Sequence, residues 1–314
     1  MNRTALIATV AQVVTVVAGA PLLAGLMRQV RARLEGRAGA GIGQSWRDLR
    51  KLLRRSPATP TGTGWAFRLA PLLLVGTSLV LAAVVPLLST ASPLDHAADL
   101  FAVVGLLALG TVTLALAALD TGTAFGGMGA SREMTILALV EPTILVAVLA
   151  LCARVGSTNL AAIVTTTLHD PLRVASPASL LAAAALVIVV IAETGRLPVD
   201  NPATHLELTM IHEAMILEYA GRDLALVELA ASMRLSILLG LLASLFLPWG
   251  IAGASLAALP LALASLLAKV AALGVALSAA EVFIAKLRLF RVPELLAGSF
   301  VLAVLAVTSS FFIA

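Results

Sequence analysis

The chain has 314 residues, of which 60% are hydrophobic and only 12% are charged, and its formal net charge is +4. A soluble globular domain carries roughly twice that charged fraction, so the composition excludes an ordinary soluble enzyme. The apolar residues form runs of about 20, the length at which a helix crosses the hydrocarbon core of a bilayer. These features predict an integral membrane protein.

Eight such runs follow one another along the chain. A helix satisfies its own backbone hydrogen bonds in lipid, and no alternating strands of a membrane barrel are visible. We therefore predict an all-α polytopic fold of about eight transmembrane helices, in a single membrane domain over residues 1–314. The predicted spans are 4–27, 69–90, 100–119, 134–153, 178–195, 224–247, 252–277 and 295–313.

Basic residues are concentrated on one side of these spans. Sixteen of the 21 Lys and Arg residues lie in the loops after the first, third, fifth and seventh spans. Since such residues stay in the cytoplasm, both termini are predicted to face outward. The basic segment from Arg28 also favours retention of the first span, although Ala18–Ala20 resembles a signal-peptide cleavage site. Because these arginines flank spans, no nucleic-acid partner is predicted.

The loop 28–68 is the most basic segment. Glycines interrupt it between Gly36 and Gly43, and apolar side chains then recur at helical spacing as far as Leu53, with Arg and Lys between them. This pattern predicts a basic amphipathic helix on the cytoplasmic membrane surface. No Lys-Ser or Lys-Thr pair follows the glycines, so a phosphate-binding loop is not predicted.

Ionisable residues in or beside the predicted spans are the main chemical signal, because each costs a few kcal/mol in hydrocarbon and usually serves a pathway, an ion pair or a ligand. A functional role is favoured for Glu141 and Glu193, whereas simple ion pairing is an equal alternative for Arg234 and Lys269. We expect Arg196 to control the charge of Glu193. The candidate proton-route residues are Glu133, Glu141, Glu193, Glu228, Lys269 and Glu281.

The loop 193–223 is acidic, and seven of the 17 acidic residues lie within residues 193–228. Thr204 and Glu207 have the spacing of a capping box and Gly221 is a stop signal, which predicts a short helix from about 205 to 219. We interpret the loop as a cytoplasmic docking surface for a partner. The charged residues of this surface are Arg196, Asp200, Glu207, Glu213, Glu218 and Asp223.

No metal or cluster site is predicted. His205 and His212 are seven residues apart, about 10.5 Å along a helix, which is too far for one ion. The single cysteine, Cys152, cannot hold an iron–sulfur cluster alone and is interpreted as a small buried apolar side chain.

The segment Ala192–Pro202 (AETGRLPVDNP) resembles the signature of the respiratory complex I subunit 1 family, and Glu218-Tyr219 continues the likeness. Within that superfamily the chain is most similar to the membrane subunit of formate-hydrogenlyase and hydrogenase-4 type (group 4 nickel–iron hydrogenase) complexes. The pieces that carry this second likeness are Arg37–Leu53, Ser131–Met134, Val140–Pro142 and Leu247–Gly250.

The resemblance implies a non-catalytic, multi-pass subunit of the cell inner (plasma) membrane, without a redox centre or cofactor of its own. Besides the lipid bilayer, the implied partners are hydrogenase large and small (iron–sulfur) subunits, docked on the cytoplasmic face, and antiporter-like membrane subunits. The implied role is to anchor the hydrophilic module and to contribute part of a proton route.

Two other functions remain open. One is the quinone-binding subunit 1 of a respiratory NADH-quinone oxidoreductase, although Ala38–Gly41 replaces the Gly-Pro-Asn-Arg-type sequence of those relatives. The other is a stand-alone secondary ion transporter, which also needs carboxylates at membrane depth. The repeated halves typical of such transporters are not seen.

Overall fold

The structure, a computed structural model, describes residues 3–170, 176–200, 210–253 and 255–312. Eleven α-helices account for most of the described residues. They are α1 (Arg3–Leu34), α2 (Gln44–Leu53), α3 (Trp65–Val84), α4 (Leu100–Asp120), α5 (Ala124–Val155), α6 (Leu160–His169), α7 (Pro177–Glu193), α8 (His212–Ile216), α9 (Gly221–Phe246), α10 (Leu259–Phe283) and α11 (Val292–Phe312).

The predicted all-α polytopic fold is confirmed. Seven described helices are long and apolar enough to cross a membrane, namely α1, α3, α4, α5, α9, α10 and α11. The remaining predicted span is α7, an apolar helix of 17 residues, or about 26 Å, which is slightly shorter than a hydrocarbon core of about 30 Å. Which side of the membrane the two termini face stays a prediction.

Helix α9 forms the centre of the bundle and packs against α3, α1, α10 and α7. On one flank, α5 packs against α11, α4 and α7, while α10 packs mainly on α1 at the periphery. Most residues of α9 beyond Met233 are buried. Polar side chains on this helix are therefore held inside the protein, away from lipid.

The basic amphipathic helix predicted in the loop 28–68 is confirmed as α2, and its position at the membrane surface stays a prediction. Ser45 and Leu49 are buried against the bundle, while the basic side chains point outward. The Trp46 indole Nε1 donates to the Ala18 carbonyl oxygen of α1 at 3.0 Å. Pro21 lies three residues after Ala18 in α1. A proline inside a helix weakens the hydrogen bonds of the preceding turn, so carbonyl groups of that turn can accept other donors.

A buried glutamine that the sequence analysis did not single out ties α1 to the end of α3. Gln12 is 4% exposed, and its Nε2 donates to the carbonyls of Ala82 and Val85, both at 2.7 Å. Its Oε1 accepts from the backbone N–H groups of Leu87 and Leu88. One side chain thus satisfies four groups that the end of α3 leaves open.

The orientation of the bundle can be tested by cysteine labelling. Cys152 is 4% exposed and should not react, whereas Ala40 and His96 are exposed at opposite ends of the bundle. In intact cells or oriented vesicles, a membrane-impermeant maleimide should label Ala40→Cys only from the cytoplasm and His96→Cys only from outside. Reversed or two-sided labelling would contradict the predicted orientation.

Candidate functional site

A cavity of about 320 Å³ opens at the end of the bundle that carries the loop 28–68, which we call the basic side. Residues of α1, α2, α9 and α10, together with the chain after α7, form its wall. It reaches along α9 from Val227 to Leu235, a depth of about 12 Å. The ionisable residues that line it are Arg28, Arg31, Arg196, Asp200, His212, Glu213, Glu228 and Glu281.

A buried ion pair lies close to the floor of the cavity. Glu193, the last residue of α7, accepts from Arg234 of α9, and their side chains are only 2% and 16% exposed. Neither residue lines the cavity itself, but Thr194 and Leu235, which follow them in the chain, do. The two charges are therefore paired inside the bundle rather than exposed to lipid, as the cost of burying charge requires.

One nitrogen of Arg234, Nη2, makes several hydrogen bonds. The same Nη2 that reaches Glu193 also donates to the Leu107 carbonyl at 3.0 Å and to the Thr111 hydroxyl at 2.6 Å, both on α4. Its Nε is buried without a hydrogen-bond partner among the described residues. The guanidinium thus holds α4, α7 and α9 together.

Arg196, expected to control Glu193, has a different partner. Its Nη1 donates to Glu281 Oε1 of α10 at 2.9 Å, with the Glu281 side chain 5% exposed. Gly195 turns the chain with φ +57°, a conformation that favours glycine, and the following residue is directed towards α10. Arg196 therefore pairs with Glu281, and the direct cation partner of Glu193 is Arg234.

Asp200 organises the chain around the cavity. The residue is 2% exposed, and its Oδ2 accepts from the backbone N–H groups of Ile211 and His212 at 3.2 and 3.1 Å. Its Oδ1 lies 3.6 Å from the Lys286 Nζ. A carboxylate at this position caps the start of α8 and interacts favourably with the helix dipole, although Asp200 lies 12 residues before His212.

The short helix predicted from about 205 to 219 is confirmed only in part. Within the described residues it covers His212–Ile216, because the cap from Asp200 starts it at residue 212. Residues 201–209 lie outside the described residues, and with them Thr204, His205 and Glu207. Glu213, predicted as a docking residue, is half-buried in the cavity wall.

Helix α5 brings two further carboxylates towards the pair. One carboxylate oxygen of Glu141 is buried and has no hydrogen-bond partner among the described residues. Its charge interacts electrostatically with Arg234. Glu133 interacts in the same way with Arg234 and with His212. Glu133, Glu141, Glu193 and Arg234 therefore form one electrostatically coupled group, called the buried cluster below.

The other predicted route residues are divided between two places. Glu228 is exposed in the cavity wall, and Glu281 holds Arg196 there. Lys269 lies about 18 Å farther along α10 from Glu281. It donates to the Leu247 carbonyl at 2.5 Å and to that of Trp249, whose ring centroid is 5.6 Å away. The structure thus brings Glu228 and Glu281 to the cavity and separates Lys269 from it.

The neighbouring residues Glu218 and Tyr219 differ in how deeply they are buried and in the contacts that they make. The Tyr219 ring stacks on Phe67 with centroids 4.1 Å apart, and its hydroxyl donates to the Phe67 carbonyl at 2.9 Å. Burial raises the pKa of Tyr219 above its ordinary value, so the phenol stays neutral. Glu218 is only half-buried, and Asp223 lies in the first turn of α9. Tyr219 therefore anchors the chain between α8 and α9 to the start of α3.

The sequence did not identify Lys286 as a site residue, because Lys286 contributed only to the excess of basic residues in the loops. It reaches Asp200 because the Leu287 N–H donates to the Pro198 carbonyl at 3.0 Å, which draws the chain after α10 against the segment after α7. The two segments are more than 80 residues apart in the chain, and no local sequence pattern indicates that contact.

Residues 6–313 match the family described as NADH dehydrogenase. The chain is 36% identical over 303 residues to formate hydrogenlyase subunit 4 of Escherichia coli (strain K12), which covers 95% of this chain and 96% of that protein. It is 38% identical over 300 residues to hydrogenase-4 component C of the same organism, covering 94% and 93%.

The fold is also found in a solved structure, that of the membrane-bound sulfane sulfur reductase, an archaeal respiratory membrane complex. The superposition has a TM-score of 0.84 and covers 98% of this chain and 99% of that chain. Sequence identity is 20%, so this likeness concerns the fold alone.

Proposed function

We propose that this chain, which belongs to the NADH dehydrogenase subunit 1 family, is the membrane-anchoring and proton-route subunit of a membrane-bound nickel–iron hydrogenase complex of the formate-hydrogenlyase type. In this role it couples electron transfer in a docked hydrophilic module to ion movement. The observation that carries the proposal is a cavity lined by ionisable residues, with the residues next to Glu193 and Arg234 of the buried cluster in its wall.

The hydrogenase assignment is supported by similarity to subunits of two such systems over nearly the whole of each chain. The partners that follow are hydrogenase large and small (iron–sulfur) subunits on the basic side and antiporter-like subunits in the membrane. The membrane is the inner (plasma) membrane.

The proton route begins in the cavity. Protons enter from the basic side past Glu228 and the Arg196–Glu281 pair, and reach the Glu193–Arg234 pair at the floor. From there they pass to Glu141, whose unpartnered oxygen is free to accept one. A carboxylate suits this task because it can take up a proton and release it again. Lys269 has no part in this route.

The docking surface surrounds the cavity mouth and consists of the exposed parts of the loop 28–68, helix α8 and the residues that follow it. Leu217 is 48% exposed there, directly after the cavity-lining Ile216. An exposed leucine beside a polar opening fits the apolar part of a protein interface better than contact with water. The hydrophilic module thereby closes the cavity mouth and controls proton entry.

Co-purification tests this assignment. In mild detergent the tagged protein should retain stoichiometric nickel and iron–sulfur subunits. Leu217→Arg places a charge in the proposed interface and should lower retained nickel at least about tenfold. Leu94→Arg is the matched control, because Leu94 is similarly exposed (42%) at the opposite end of the bundle, and it should retain nickel as the parent does.

Two results would contradict the proposed assignment. A monodisperse protein that retains no nickel and transports ions alone would support the secondary transporter instead. Equal nickel retention by Leu217→Arg and Leu94→Arg would show that Leu217 is not part of a docking surface.

A further inference from the structure

A second groove, with a volume of about 220 Å³, lies between α1, α9 and α10, outside the polar cavity. Its walls are almost wholly aliphatic, and its rim residues Leu22 and Leu267 are 42% and 47% exposed. A cavity of about 150 Å³ with such a lining takes up a benzene ring, so this groove has room for a longer stretch of hydrocarbon.

The groove has the length and position of one membrane leaflet. On α1 its lining residues run from Thr15 to Leu26, which is about 16 Å and about half of a hydrocarbon core of 30 Å. Its mouth is formed by Ile42, whose carbonyl packs where a side chain at Gly25 would begin. Arg28 follows on α1 and marks the basic membrane edge. The groove therefore extends from that edge to the middle of the bilayer.

A cation without a carboxylate partner stands at the mouth. The exposed Arg47 guanidinium donates to the Ala40 carbonyl at 3.1 Å and to Gln44 Oε1 at 2.9 Å, so it lies against the loop that leads into Ile42. Among the described residues no acidic side chain pairs with it. The remaining N–H groups of Arg47 can bind a phosphate, which a guanidinium recognises well.

We propose that this groove is a binding site for an anionic phospholipid of the leaflet on the basic side. One acyl chain fills the groove between α1 and α10, and the phosphate lies against Arg47. The site is separate from the polar cavity and does not depend on the proposed hydrogenase function.

The charge at the mouth provides the selectivity. An acyl chain gains little on moving from the bilayer into an equally apolar groove, because lipid tails solvate it as well as leucine does. A preference for one lipid must therefore come from the headgroup. Other basic residues of α2 attract anionic lipid only generally, whereas Arg47 is the one next to the mouth.

The test uses the assembled complex in nanodiscs that contain phosphatidylglycerol with a diazirine on its acyl chain. Photolysis should attach the probe to residues 15–26 and 266–271. Gly19 lines the groove, and a Cβ added there meets nothing closer than the Leu267 side chain at 4.0 Å, so the larger side chain of Gly19→Leu starts from open space and extends into the groove. It should lower labelling of these segments about tenfold, whereas the lipid-facing Gly105→Leu should not.

A second pair of variants tests whether the lipid headgroup is recognised. Arg47→Gln should lower labelling by the phosphatidylglycerol probe to the level of a phosphatidylcholine probe. Arg54→Gln, just past the end of the same helix and about 10 Å farther along, should leave it unchanged. This comparison decides the proposal alone if Gly19→Leu does not assemble, because both arginines are exposed.

Three results would overturn the proposal. Undiminished labelling of an assembled Gly19→Leu complex would show that the probe does not occupy the groove. Equal labelling of the parent protein by phosphatidylcholine would show ordinary bilayer lipid. Loss of labelling on adding a short-chain quinone would identify a ring-bearing occupant instead.

Discussion

Replacing Glu141 with Gln should abolish ion translocation by the assembled complex, while hydrogenase activity with an artificial dye stays within about twofold of the parent. Glutamine keeps the size of the side chain but cannot carry a proton as a carboxylate does. The buried oxygen of Glu141 has no hydrogen-bond partner among the described residues, so the substitution removes no bond that holds the bundle. The expected loss is therefore specific to the route.

The measurement is proton uptake or release by proteoliposomes that contain the complex, followed with a pH-sensitive dye during turnover. Glu294→Gln is the matched control, because Glu294 is exposed in the first turn of α11 and lies outside the buried cluster. That variant should translocate protons at the parent's rate. Normal translocation by Glu141→Gln would show that this carboxylate has no place in the route.

The spans could be predicted because each hydrophobic run carries its own signal. Even α7, shorter than the other spans, is a continuous apolar stretch, and the amphipathic pattern after Gly43 identifies α2 in the same way. These features depend on residues that are neighbours in the chain. The local sequence is therefore sufficient to predict these helices.

Partners in the site could not be predicted, because they depend on how helices pack. Glu193 was recognised as a buried carboxylate, but its cation comes from residue 234 rather than from the nearby Arg196. Lys269 was grouped with the acids because it lies in a span, yet the turn after α9 folds back and offers it carbonyls. The start of α8 depends on Asp200, 12 residues before His212, and a capping-box search finds only local partners.

The Glu193–Arg234 pair has the largest expected effect on stability. Removing one partner leaves the other charge buried without the partner that it directly contacts, which costs about 3–5 kcal/mol, whereas replacing both is close to neutral. Glu193→Gln or Arg234→Gln alone should therefore lower the apparent melting temperature of the purified complex by about 10 °C. The double variant should recover most of that loss.

The exposed pair Arg31–Glu35 is the matched control for this comparison. Its atoms are 2.9 Å apart, and both side chains remain partly accessible to solvent. Such a surface pair contributes little to stability, so Glu35→Gln should change the melting temperature by no more than about 2 °C. A drop as large as that of Glu193→Gln would mean that burial is not the source of the effect.

The double variant also separates the two roles of the pair. If Glu193 only fixes the packing of α7 on α9, restoring stability with Glu193→Gln and Arg234→Gln together should restore proton translocation. If protons pass through Glu193, the double variant should assemble, reduce the dye normally and still translocate no protons, because neither amide can exchange a proton near neutral pH. We expect the second result, since the cavity ends beside Glu193 and its lining includes Thr194. Restored translocation would leave the pair a purely structural role.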